Sequence, residues 1–196
     1  MKNYFSIPNK EYSSEIEINK SRFLGYAKSV TSQDEAENFI ANLRAKFSDA
    51  KHVCFAYKLN STAKLSDDGE PSGTAGKPIL SVIENKGLEN VVVVVVRYFG
   101  GVKLGAGGLL RAYVESATKT LDLAPKVKWE SAILANLTLS FSEYQKFLHS
   151  ISNRKIQVLS TDFSDSVRLS VVASVDEKLD NLEIEKNVMW CFEEKK

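Results

Sequence analysis

Six consecutive valines, Val91–Val96, run through Arg97-Tyr98-Phe99 into a stretch where five of the nine residues from Gly100 to Gly108 are glycine. β-Branched residues without polar alternation fit a buried strand, because a half-solvated strand would alternate apolar and polar positions. The glycines permit positive φ and close backbone approach. A helix expected from about Leu109 to Leu121 leaves its first amide donors unpaired where it begins. Strand, glycine loop and helix N-terminus are together the parts of an anion cradle. The glycines would equally solve a packing problem between strand and helix, and the sequence leaves both readings open.

Between Asn90 and Val114 stand three cations, Arg97, Lys103 and Arg111, and no carboxylate. That sign suits phosphate or a polynucleotide backbone, and Tyr98 and Phe99 are of a type that stacks on unpaired bases. The expected nucleic-acid or anion-binding set is therefore Arg97, Tyr98, Gly100, Gly101, Lys103, Gly105, Gly107, Gly108 and Arg111. Familiar nucleotide signatures are missing. Leu110 stands where a dinucleotide fingerprint beginning at Gly105 and Gly107 needs its third glycine. Around Gly76-Lys77, Pro71 and Pro78 replace the first glycine and the Ser/Thr of a P-loop. An ordinary NTPase or dehydrogenase does not fit.

The net charge of +1 argues against an indiscriminate polyanion binder, so any such contact must come from a local patch. The valine run is far too short to span a membrane, and Met1–Tyr12 has no apolar segment of the secretory kind. With only Cys54 and Cys191, a disulfide framework or cysteine metal site is not expected. These features read as a cytoplasmic protein without a resident cofactor.

At 196 residues the chain has room for two α/β domains in tandem, expected at 1–125 and 129–196 on either side of Pro125 and the cationic Lys126–Lys128. In the first, strands are expected at Glu15–Ile18, Ser21–Ala27 and His52–Leu59. Ser32-x-x-Glu35 opens a helix with Ala36, Phe39, Ile40, Leu43 and Phe47 on one face, a polar loop fills Asn60–Gly76, and a helix follows from Pro78 to Asn85. In the second, strands at Ala132–Phe141, Lys155–Phe163 and Val167–Val175 accompany a helix Ser142–Ser152 capped by Ser142 and a short, charged helix Asp176–Lys186. That order is most of a ferredoxin-like split βαβ unit. If helices cover only one face of the first sheet, the second domain or a partner chain must cover the other.

Asp67, Asp68 and Glu70 place three carboxylates within four residues, ahead of Ser72, Thr74 and a helix N-terminus. Such a cluster can hold magnesium, cap backbone amides, or pair with Arg97, Lys103 and Arg111. The structural roles weigh more, since no recognised metal-loop spacing is present. His52 lacks convergent partners in the sequence and reads as a satisfied structural histidine. Neither Ser21 nor Ser72 lies in a nucleophile elbow.

The segments SRFLGYA at Ser21–Ala27, HVCFAY at His52–Tyr57, DDGEPSGTAGKPIL at Asp67–Leu80 and RYFGGVKLGAGGLLRAY at Arg97–Tyr113 closely resemble the Impact/YigZ family. The resemblance implies an α+β chain, with an N-terminal domain of the ribosomal protein S5 domain 2-like fold. In bacterial members a ferredoxin-like domain similar to the last domain of elongation factor G follows. It maps the family pattern onto Arg22, His52, Asp67, Asp68, Glu70, Thr74, Arg97, Tyr98, Lys103 and Arg111, without a catalytic role for any. Eukaryotic members resemble regulators of translation that act through protein partners. The expectation is a non-enzymatic regulator linked to translation that binds RNA, the ribosome or a protein partner. The alternatives are a magnesium-dependent enzyme acting on a phosphorylated small molecule, and a module that docks a protein on its ferredoxin-like sheet.

Overall fold

The computed structural model describes residues 3–60, 62–178 and 183–192. They form two compact units, one of Phe5–Val127 and one running from Lys128 onward that also takes in the first residues up to Tyr4.

After the short β1 (Tyr4–Ser6), the first unit runs β2 (Tyr12–Ile18), β3 (Ser21–Ser29), α1 (Gln33–Lys46), β4 (His52–Leu59), β5 (Thr62–Ser66), α2 (Gly76–Asn85), β6 (Val91–Tyr98) and α3 (Gly105–Asp122). Its sheet has the order β2-β3-β6-β4-β5, with every neighbouring pair antiparallel. β6 is central, and all six valines are fully buried. Val91, Val93 and Val95 pack with Ile79, Val82 and Ile83 of α2 and Leu109, Ala112 and Tyr113 of α3. Val92, Val94 and Val96 pack with Ala36, Phe39, Ile40 and Leu43 of α1. The unit's own helices therefore cover both faces, which corrects the expectation that a second domain or partner would be needed. This two-sided cover is why an antiparallel strand can dispense with the usual polar alternation.

Besides small extensions of β2 and β3, three elements differ from expectation. α3 begins at Gly105 rather than Leu109, so Gly105, Gly107 and Gly108 are helical and the connection from β6 is shorter. α2 begins at Gly76, with Pro78 inside its first turn, where a missing N–H costs nothing. β5 occupies part of the expected polar loop; it is an edge strand held by pairing to β4, so it needs no apolar face. The α1 start is as read, with Ser32 Oγ accepting from Glu35 N, although Glu35 returns its carboxylate to Thr31 N rather than to Ser32.

The second unit contains β7 (Val127–Leu139), α4 (Phe141–Ser150), β8 (Ile156–Phe163), β9 (Val167–Ser174) and β10 (Glu183–Trp190). Its five-stranded sheet has β1, β7, β9 and β8 in that order, with β10 also pairing with β7; the β10-β7, β7-β9 and β9-β8 pairs are antiparallel, which is the ferredoxin-like arrangement. α4 is capped by Ser140 rather than Ser142, because Ser140-x-x-Glu143 is the reciprocal box: Ser140 Oγ accepts from Glu143 N, and the Glu143 carboxylate accepts from Ser140 N. The expected helix Asp176–Lys186 is corrected. Asp176 lies in a turn, residues 179–182 lie outside the described part, and Glu183–Lys186 start β10, whose backbone pairs with β7. The chain is thus α+β, with an S5 domain 2-like unit followed by a ferredoxin-like one.

Truncation should expose both cores of the first unit. Phe39→Ala under α1 is expected to cost about 3–5 kcal/mol, and Ile79→Ala under α2 about 2–5 kcal/mol, in urea denaturation. A Phe39→Ala variant as stable as the parent would mean that α1 does not seal its face.

Candidate functional site

Where the valines end, β6 continues its alternation with a charge. Arg97 lies in register with Phe23 of β3 and His52 of β4, on the face of Val95 and the α2/α3 core. It is only 5% exposed. Its Nη1 donates to Glu70 Oε1 at 2.6 Å, and Tyr113 of α3 donates its hydroxyl to the same oxygen at 2.9 Å. The guanidinium lies between the rings of Phe23 and Phe99, 5.4 and 5.7 Å from their centroids. Its Nε is buried with no hydrogen-bond partner; the flanking aromatic faces are what compensate it.

All three carboxylates of the acidic segment are engaged by the protein. Asp67 Oδ1 accepts from the Ala75 and Gly76 amides at 3.0 and 2.8 Å, and Oδ2 from Gly73 N at 2.8 Å. Burial alone would raise the Asp67 pKa, but the Gly73, Gly76 and Ala75 amides outweigh it and hold the carboxyl below its ordinary value. The start of α2 therefore carries an internal anion where a P-loop would carry phosphate. Asp68, at φ +43°, accepts from Arg44 Nη2 at 2.8 Å and Val53 N at 2.7 Å. Thr74 is buried and donates its hydroxyl to Pro71 O at 2.6 Å. Among the described residues, no group of three His, Cys, Asp or Glu side chains is placed to hold a metal ion.

His52 Nδ1 is 2.8 Å from the Asp68 carbonyl oxygen. A carbonyl only accepts, so Nδ1 is the donor in this contact. Cys54, two residues on, donates its thiol to Asp67 O at 3.0 Å. Burial pushes its pKa up to about 12, so it stays a thiol and is no nucleophile. Burial also drives the Tyr113 phenol far above its ordinary range.

The structure separates the residues expected to act together. Arg22 and Tyr98 are in register with each other on the α1 face, opposite Arg97. Arg22 pairs with Glu15 at 2.7 Å, and Tyr98 donates its hydroxyl to Asp49 at 2.8 Å. Arg97 is thus engaged by Glu70 in the interior, whereas Tyr98 is half-buried on the opposite face of the sheet and bonded to Asp49. Gly100 is structural, since a Cβ there would come within 2.0 Å of the Lys20 backbone. What remains outward is the start of α3. Lys103 and Arg111 are exposed, and neither forms an ion pair among the described residues. α3 has no side-chain N-cap and no acidic residue in its first turn. Gly101 and Gly105, at φ +88° and +68°, have nothing within 4 Å of where a Cβ would stand. Phe99, Val102 and Leu110 are 50%, 48% and 44% exposed. Sequence reading missed Tyr113 and Cys54 as members of the network. The available signal was the alternation of β6, which places Arg97 inward with Val95 and so demands a buried counter-charge.

Removing one member of the buried pair leaves the other uncompensated. Glu70→Ala or Arg97→Ala alone should each cost about 3–5 kcal/mol, whereas Glu70→Leu with Arg97→Met should recover most of that loss. A urea-denaturation double-mutant cycle checks this, and additive losses would show that the groups do not interact. The lowered Asp67 pKa contributes stability that is complete above its ordinary value of 3.8 and is lost as pH falls below it. Asp67→Asn should therefore flatten the acid limb of a melting-temperature profile; a limb as steep as the parent's would remove Asp67 from that role.

Residues 19–121 match the Impact N-terminal domain family. The IMPACT family member YvyE of Bacillus subtilis is 35% identical over 170 residues, 85% of this chain and 77% of that protein. The IMPACT family member in the pol 5′ region of Thermus thermophilus is 40% identical over 154 residues, 79% of this chain and 84% of that protein. A crystal structure described as a hypothetical protein is 28% identical, covers 88% of this chain and 86% of its own, and superposes with a TM-score of 0.64. The family match runs from the end of β2 through α3 and takes in His52, Glu70, Arg97 and Tyr113, and on these grounds the chain belongs to the IMPACT family.

Proposed function

We propose that this chain is a non-enzymatic, translation-linked binding protein that meets RNA, the ribosome or a protein partner through the N-terminal end of α3. The observation that carries the reading is the contrast between two sets of charges. Glu70, Arg97, Asp67 and Asp68 satisfy one another or the local backbone, while Lys103 and Arg111 remain exposed without an ion pair among the described residues. The link to translation rests on family membership, the resemblance implying that the family's eukaryotic members regulate translation. A non-enzymatic role is supported by the protonated, buried Cys54 thiol and by carboxylates already engaged by protein donors. For the magnesium-dependent alternative, those same donors would have to be displaced before Asp67, Asp68 or Glu70 could take a cation. No helix of the described residues is long and apolar enough to cross a membrane, and a cytoplasmic location belongs to the same proposal.

With Arg97 internal, a polyanion can gain about two phosphate contacts here, from Lys103 and Arg111, rather than three. The full chain carrying Lys103→Glu and Arg111→Glu should lose association with ribosomes, RNA or their proteins in sucrose-gradient sedimentation of a cell extract. For an RNA contact, the slope of log affinity against log salt should also fall by about 1.4. A folded double variant that sediments with the same partners at every salt concentration would remove this surface from the account.

A further inference from the structure

We infer that the partner seated on the start of α3 is an acidic protein segment carrying apolar side chains along one helical face; this rests on the reading of that surface given above. The apolar content of the surface is what selects the class. Phe99, Val102 and Leu110 are each between 44% and 50% exposed, and they outnumber the two free cations, Lys103 and Arg111. Nucleic-acid surfaces are markedly more basic than this, whereas protein interfaces place apolar anchors inside a polar rim. Tyr98, the other aromatic side chain that could stack on a base, lies on the opposite sheet face and is bonded to Asp49. One face of the Phe99 ring is already taken by the Arg97 guanidinium.

Charge complementarity fixes the sign of the occupant. No carboxylate occurs between Asn90 and Val114, and the first turn of α3 has no acidic residue to answer its exposed amides. An acidic segment meets Lys103, Arg111 and the positive end of the helix with one sign of charge. The bare backbone helps it approach. A side chain at Gly101 or Gly105 would meet nothing within 4 Å, and the only neighbour near a Cβ at Gly107 is Arg111 Nη1, at 3.8 Å. The guanidinium of Arg111 thus lies over the first turn of α3, where a bound carboxylate would meet both it and the amides.

The test is fluorescence anisotropy of the full chain with two labelled probes: a glutamate-rich peptide with leucines at i, i+3, i+4 and i+7, and a single-stranded uridine oligomer. The peptide should bind and the RNA should not. Val102→Ser and Leu110→Ser should each weaken peptide binding by about tenfold. Lys103→Glu with Arg111→Glu should weaken it and flatten its salt dependence, and the milder Lys103→Gln with Arg111→Gln should do the same to a smaller degree. Circular dichroism and melting confirm that each variant is folded. RNA binding that responds to the charge variants but not to the serine variants would overturn the acidic-segment assignment and leave the surface standing. So would binding of neither probe while extract association stays sensitive to charge reversal. A concentration-dependent dimer lost in the serine variants would show a second copy as the occupant and likewise overturn the assignment. Loss of all of these dependences would overturn the surface as well.

Discussion

β6 is the element on which the first unit depends. A strand of six valines has no wet face to offer, so both sides of the sheet must be roofed, and α1 on one side and the α2/α3 pair on the other do this. Full burial of a valine side chain is worth about 1.5 kcal/mol or more, so the run is a large share of what drives the unit together. Placing β6 between β3 and β4 satisfies its backbone on both edges at once. The rest of the topology follows from keeping this strand central.

The same alternation that buries Val95 turns Arg97 inward. A buried guanidinium is tolerated only with a counter-charge and further hydrogen bonds, and this requirement draws Glu70 into the core with Tyr113 behind it. The segment that delivers Glu70 is then fixed on both sides. Asp68 holds the edge of β4 through Val53 N, and Asp67 caps α2 through three amides. Acidic and basic residues that look like a reactive cluster in sequence are therefore one structural knot, joining β4, α2, β6 and α3. Its chemistry points the same way, because burial keeps the Cys54 thiol and the Tyr113 phenol protonated.

Much of the fold was legible because its signals are periodic or local. The valine run, the Ser32-x-x-Glu35 start of α1 and the strand at His52–Leu59 follow from residue type alone. Elements held by backbone pairing were not legible. β5 and β10 carry exposed, charged residues, and what defines them is backbone pairing to β4 or β7, which is a tertiary fact. The α3 start was missed for a related reason: glycine disfavours a helix, but Gly105, Gly107 and Gly108 are carried by the packed helix that follows them. At the site, the alternation of β6 separates Arg97 from Tyr98, but nothing along the chain names Glu70 and Tyr113 as the partners of the buried guanidinium. Arg97 and Tyr98 are neighbours in sequence and lie on opposite sides of a sheet.

That separation also decides which residues are left to act on another molecule. Arg97, at the end of β6, is consumed within the unit, whereas past Gly100, which closes against the Lys20 backbone, Lys103 and Arg111 are exposed and form no ion pair among the described residues. Phe99 stands at the boundary, with one side of its ring over the Arg97 guanidinium and half of its surface exposed. The internal knot and the outer surface therefore share a side chain. A change in the Glu70–Arg97 pair would be felt by Phe99 first, because the Arg97 guanidinium that Glu70 holds lies over its ring.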